Sequence, residues 1–183
     1  MTDPINVYGA TKLAGEEGIV ASNCHHVILR TSWVYSARGK NFVKTILRLA
    51  RERDELRIVD DQIGAPTGAE LIADVTAHIV QSLHNQTVDA VSGLYHLTAQ
   101  GHTSWYGLAN FLLTGAVDAK ATLKMPLGNL YPIASTDYPT PAKRPLNSRL
   151  DTTKIQKTFN LYLPEWQSGV SRVMAELLES HCT

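Results

Sequence analysis

Tyr8 and Lys12 stand four residues apart in the run Tyr8-Gly9-Ala10-Thr11-Lys12, a spacing that puts a phenol and an ammonium on one helix face. A free tyrosine titrates near ~10, so it serves as an acid or base at neutral pH only when something stabilises its phenolate. A neighbouring ammonium does that. The pair therefore reads as a proton-delivering couple, although the same spacing also arises on solvated helix faces, and the surrounding elements must decide between the two.

The couple needs a helix. Asp3-Pro4 reads as an N-cap followed by proline in the first turn, and Val7, Lys12, Leu13, Glu16 and Ile19 follow at helical spacing. Residues 27–35, rich in β-branched and aromatic side chains and opening on an apolar stretch, read as one buried strand. Helices are predicted over 42–53 and 69–83, the latter with Leu71, Ile72, Val75, Ile79 and Leu83 on its buried stripe, and a strand over 56–59. Further along, 93–97 reads as a strand and 104–113 as a helix capped by Thr103 or Ser104. Five prolines between Met125 and Leu150 (Pro126, Pro132, Pro139, Pro141 and Pro145) exclude a helix or a central strand there. Two helices close the chain, 152–159 and 164–178, the second presenting Val170, Val173, Met174 and Leu177. Alternating helices and strands make the class α/β.

Composition narrows the function. The 183 residues, 44% hydrophobic and 19% charged, suit a soluble globular protein with a real core. Seventeen basic and 17 acidic side chains cancel, leaving no electrostatic footprint for nucleic acid or an anionic membrane. The sequence carries no apolar run of membrane-spanning length and no leader at Met1, so a cytoplasmic location is expected. Cys24 and Cys182 lie far apart without Cys-x-x-Cys spacing and read as reduced, incidental thiols. Neither a Gly-x-Ser-x-Gly elbow nor His-Glu-x-x-His is present. Cys24-His25-His26 is contiguous, so its members point in different directions, and Asp60-Asp61 on a strand would face opposite ways.

The run Tyr8 to Glu16, followed by Arg30-Thr31-Ser32-Trp33-Val34-Tyr35, resembles the second half of an extended short-chain dehydrogenase/reductase, and within that group the dTDP-4-dehydrorhamnose reductase family. Three further blocks in the same order carry the likeness: 61–67, 93–97 and 144–148. The resemblance implies an α/β fold: a partial Rossmann-like unit over 1–60 carrying the Tyr-x-x-x-Lys helix, and a small α/β substrate-binding domain over 61–183, with interleaved boundaries. It also implies reduction of dTDP-4-dehydro-L-rhamnose to dTDP-L-rhamnose, for cell-surface polysaccharide such as lipopolysaccharide O-antigen, with NADPH or NADH as cofactor. Tyr8 would give the proton to the sugar C4 oxygen, and Lys12 would bind the nicotinamide ribose and lower the tyrosine pKa. Trp33 and Gln62 would contact the substrate, the indole covering a deoxysugar face. Arg144 and Asn147 would belong to the substrate side, the guanidinium suiting a diphosphate. Glu70 would match a carboxylate associated with Mg2+ at a dimer contact, although a carboxylate at a helix start also serves the macrodipole.

The sequence departs from that family at its start. It carries no Gly-x-x-Gly-x-x-Gly or Gly-x-Gly-x-x-Gly run to cradle a pyrophosphate, and only seven residues precede Tyr8, so the serine or threonine that completes the catalytic triad is absent. The expectation is a truncated chain, inactive alone, whose 27–35 strand and first helix keep an open apolar face that self-association into a homo-oligomer, a dimer, would cover. Two alternatives stay open: a non-catalytic regulatory protein on this fold, similar to the regulatory subunit of methionine adenosyltransferase, and a nucleotide-sugar epimerase.

Overall fold

The computed structural model describes residues 3–83, 88–138, 140, 142 and 144–179; Cys182, Pro139, Pro141 and Lys143 lie outside them. The first helix, α1 (Val7–Ala21), is followed by β1 (Val27–Arg30), β2 (Val34–Tyr35), α2 (Phe42–Glu52) and β3 (Leu56–Val59). Short strands β4 (Ile63–Gly64) and β5 (Thr67–Gly68) lead into α3 (Ala69–Ser82), α4 (Val88–Val91) and β6 (Gly93–His96). The remainder comprises β7 (Thr103–Ser104), α5 (Trp105–Asp118), β8 (Leu130–Ile133), α6 (Thr153–Phe159) and α7 (Trp166–Glu179). Parallel pairs join β1 to β6, β2 to β5 and β3 to β8, while β4 and β7 are antiparallel. The chain is a mixed α/β fold with parallel pairing, as its alternating pattern predicts.

Two apolar cores organise it. In the first, α2 (Val43, Ile46, Leu47, Ala50) meets α5 (Leu108, Ala109, Leu112, Leu113, Ala116) and α7 (Val170, Val173, Met174) over β3 and β8. The second gathers α3 (Val75, Ile79), α6 (Ile155, Phe159) and Leu163 around Tyr95 and Leu97, with Val27 and Leu29 of β1 packed against it. Each fully buried Leu or Ile contributes roughly 1.5–3 kcal/mol of transfer free energy. Helix α1 joins neither core: it buries no residue, and it is tied to β1 by a two-pronged Glu16–Arg30 bridge, with Arg30 Nε to Oε1 at 2.8 Å and Nη2 to Oε2 at 2.5 Å. Arg30 holds the Glu16 carboxyl below its ordinary value by hydrogen bonding, against a smaller opposing effect of burial. Among the described residues no helix is long and apolar enough to cross a membrane.

Several boundaries differ from the sequence expectation for identifiable reasons. The cap of α1 is Asn6, not Asp3: Asn6 is extended at φ −154° and accepts a 2.8 Å hydrogen bond from Gly9 N–H, which Asp3 stands too far upstream to do. The single strand over 27–35 is two strands, because Trp33 adopts φ +50° and a left-handed residue cannot continue an extended run. Helix α5 runs on past Leu113 to Asp118 along its buried stripe. The proline-rich segment does contain a strand, β8, but it pairs with β3 alone among the described residues, with Pro132 opposite Ile58, and an edge tolerates a residue without an N–H. Helix α7 starts at Trp166 because the Pro164 carbonyl accepts from Gln100 N–H at 2.8 Å and Glu165 bridges Gln100.

Candidate functional site

A groove of about 1030 Å³ opens between α2, β3 and the segment that follows β8. Its apolar wall is Phe42, Leu49, Ile58 and Ile133, an indole is supplied by Trp105, and Gln62, Tyr138 and Arg144 bring polar groups to it. Trp105 is the first residue of α5, placed by the N-cap Ser104, whose hydroxyl accepts from Gly107 N–H at 2.8 Å and donates to the Asp60 carboxylate. Asp60 and Asp61 lie past the end of β3 rather than on a strand, and they take different partners: Asp61 accepts from the Ser135 backbone N–H at 2.9 Å and from the Ser135 hydroxyl. Those two bonds hold the Asp61 carboxyl below its ordinary value, the side-chain bond contributing most.

One hydrogen-bonded chain crosses the site. Trp105 Nε1–H donates to Gln62 Oε1 at 3.3 Å, Gln62 Nε2 donates to Ser135 Oγ at 2.9 Å, and the Ser135 hydroxyl donates to Asp61. Its ends fix its direction: an indole N–H only donates and a carboxylate only accepts, so the Gln62 amide has one satisfactory orientation. Trp33 stacks on Trp105 with ring centroids 3.5 Å apart and planes within 8°, and Phe42 tilts against Trp105 at 4.6 Å. The other face of Trp33 lies on Gly64, where an added Cβ would sit 2.5 Å from Cε2, 2.7 Å from Nε1 and 2.9 Å from Cδ2. Only an approach from above the ring reaches those three atoms together. The left-handed backbone at Trp33, a conformation that costs on the order of 1–3 kcal/mol, is what turns its indole out of the strand and into this sandwich.

The sequence-predicted residues fall into three places. Gln62 and Arg144 line the groove. Asn147 lies beside it: its backbone bridges Ile63, and its side-chain oxygen accepts from Arg149 N and Nε at 3.1 and 3.0 Å. Tyr8 and Lys12 are adjacent on exposed α1, with Lys12 Nζ 5.5 Å from the Tyr8 ring centroid and Tyr8 71% exposed, and they line none of the cavities described. The two side chains are thus neighbours on an exposed helix face, whereas no glycine-rich strand-turn-helix occurs among the described elements. Glu70 sits elsewhere, 3.8 Å from Arg172 and close to Tyr35, whose phenol burial pushes well above its ordinary value, with the Glu70 charge adding to that push. A divalent cation needs several oxygen ligands; among the described residues no group of three or more His, Cys, Asp or Glu comes together and Glu70 faces a guanidinium, so the Mg2+ reading of Glu70 finds no support in this chain. Trp105 and Ser135 are the site residues that sequence reasoning missed. An aromatic at the first position of a capped helix was the available signal for Trp105, and Ser135 had none.

The family model described as the RmlD substrate binding domain matches residues 1–179. The dTDP-4-dehydrorhamnose reductase of Escherichia coli (strain K12) is 52% identical over 176 residues, covering 96% of this chain and 58% of that protein. The crystal structure of the Bacillus anthracis dTDP-4-dehydrorhamnose reductase in complex with NADP is similar at TM-score 0.78 and 34% identity, over 95% of this chain and 57% of that one. A dTDP-4-dehydrorhamnose reductase from Clostridium acetobutylicum is similar at TM-score 0.83 and 30% identity, over 97% and 57%. The chain therefore spans somewhat more than half the length of these relatives. Across nearly its whole length, this chain belongs to the RmlD substrate binding domain family.

Proposed function

We propose that this chain is the substrate-binding part of a dTDP-4-dehydrorhamnose reductase, which reduces dTDP-4-dehydro-L-rhamnose to dTDP-L-rhamnose with NADPH. The observation that carries the reading is the groove, in which an indole, an oriented amide and the Arg144 guanidinium stand together beside apolar side chains. A dTDP-sugar has matching parts: flat apolar faces for the indole, hydroxyls for the amide, and a diphosphate for the guanidinium fork. Family membership and the NADP bound to the Bacillus anthracis relative support the reductase and its cofactor.

In the reaction, bound NADPH supplies the hydride equivalent to C4 of the keto sugar. Tyr8 gives its phenolic proton to the C4 oxygen, completing the alcohol. Lys12, one turn along α1, stabilises the phenolate left behind and binds the nicotinamide ribose. Gln62 and Arg144 line the groove on the substrate side, with Asn147 beside it and Trp33 stacked on the lining Trp105. Groove and couple lie on different elements, so the site is completed where α1 meets the cofactor-binding part of the enzyme.

Calorimetric titration of the chain with dTDP-L-rhamnose tests the reading. Binding is expected, and Arg144→Ala is expected to weaken it by roughly tenfold or more, the worth of a charged hydrogen bond. No binding by the wild-type chain, or equal affinity in the variant, contradicts it.

A further inference from the structure

A second cavity, of about 220 Å³, lies between the loop over 98–102 and residues 149–152, and it shares no lining residue with the groove. The loop leaves the carboxyl end of β6, the end of a parallel strand at which open α/β sheets take their ligands. Both walls are held in place. Gln100 N–H donates to Pro164 O at 2.8 Å, Gln100 O accepts from Trp166 N–H at 3.1 Å, and Gly101 turns the loop at φ +74° against Glu165. Opposite, Asn147 Oδ1 accepts from Arg149 N–H at 3.1 Å and from Arg149 Nε–H at 3.0 Å.

The polar side chains lining this cavity are donors. The bond to Asn147 engages only Nε of Arg149, so among the described residues both Nη groups keep their N–H bonds free. Thr98 is 2% exposed, and its hydroxyl has no partner among the described residues. A buried hydroxyl in that position destabilises the fold unless something in the cavity meets it. Thr152 is also buried; it accepts from Gln156 Nε2 at 3.0 Å, which leaves its own O–H to donate. Among the described residues no carboxylate lines the cavity: Asp151 accepts from Thr153 N–H at 2.8 Å, and Glu165 lies behind Gly101.

We propose that this cavity binds a phosphate-class oxyanion, gripped by the Arg149 fork and by the Thr98 and Thr152 hydroxyls. A guanidinium only donates, so the complementary ligand accepts throughout and carries negative charge. The donors converge from two segments, and a tetrahedral ion offers an oxygen to each side where a planar carboxylate does not. The inference is independent of the dTDP-sugar reading.

The test is calorimetric titration of the 183-residue chain in chloride buffer with inorganic phosphate, glycerol phosphate and acetate. Phosphate is expected to bind with a dissociation constant on the order of 1 mM or tighter, and acetate about tenfold more weakly. Arg149→Gln is expected to weaken phosphate about tenfold and Thr98→Val about threefold, whereas Arg144→Gln, which removes the guanidinium of the groove, changes it by less than about twofold. Arg149 is exposed, so its variant keeps the fold even where Thr98→Val does not. Preference for phosphate over glycerol phosphate assigns the cavity to the free ion, and the reverse preference assigns it to the phosphoryl group of a larger molecule; both uphold the proposal. No phosphate binding, acetate as tight as phosphate, or a loss in Arg144→Gln without one in Arg149→Gln overturns it.

Discussion

Gly64→Ala is expected to dismantle the aromatic stack. The new Cβ would lie 2.5 Å from Trp33 Cε2, about 1 Å short of the 3.4 Å at which ordinary contact begins. Trp33 has nowhere to retreat, because Trp105 closes its far face at 3.5 Å and Phe42 backs Trp105 at 4.6 Å. The Gly64 backbone is equally confined: it pairs with Thr103, while the adjacent Ile63 donates to Leu146 O and accepts from Ser148 N–H, both at 2.8 Å. Overpacking of this kind costs about 1–3 kcal/mol. For a chain of this length that lowers the midpoint of thermal unfolding by about 2–12 °C. Two stacked indoles also give an exciton couplet in circular dichroism, so the same samples report the geometry directly. The expected result is a lower midpoint together with a lost or reduced couplet. An unchanged midpoint with an intact couplet would refute the sandwich of Gly64, Trp33 and Trp105.

Two other perturbations address the couple-bearing helix. Asn6→Ala is expected to weaken α1 by about 1 kcal/mol, and Asp3→Ala by much less, because the 2.8 Å bond to Gly9 N–H comes from Asn6; amide hydrogen exchange in the first turn of α1 measures both. The Glu16–Arg30 bridge gives α1 a pH dependence. The Glu16 carboxyl is held below its ordinary value in the folded state, so its contribution is fully present above the unfolded value and is lost as pH falls through the folded one. Acid titration of α1 exchange is expected to show this loss in the wild type and not in Glu16→Gln, and identical profiles would remove the bridge as the tether.

What the sequence discloses is mostly local. The Tyr8–Lys12 couple is an i, i+4 relation within one helix, and α2, α3 and β3 follow from periodicity over a single turn or strand, so each could be read without its partners. The break at Trp33 could not be read in this way, because a β-branched, aromatic run favours extension. What turns the chain there is the space above Gly64 and the indole of Trp105, which are remote in sequence. The cap shows the same limit at short range: Asp3 and Asn6 are both good capping residues, and only the position of Gly9 N–H decides between them. The groove joins α2, β3 and the segment after β8, so its residues share no spacing that a sequence pattern could display.

On the reading proposed above, this chain carries the acid and the sugar site of a dTDP-4-dehydrorhamnose reductase. The direct test is the oxidation of NADPH with dTDP-4-dehydro-L-rhamnose, followed by near-ultraviolet absorbance, using the chain alone and then mixed with the cofactor-binding part of a related reductase. The expected result is no turnover alone, turnover on mixing, and loss of that turnover in Tyr8→Phe without loss of stability, since Tyr8 is 71% exposed. Turnover that survives Tyr8→Phe, or none from the mixture although it forms a complex, would contradict the account.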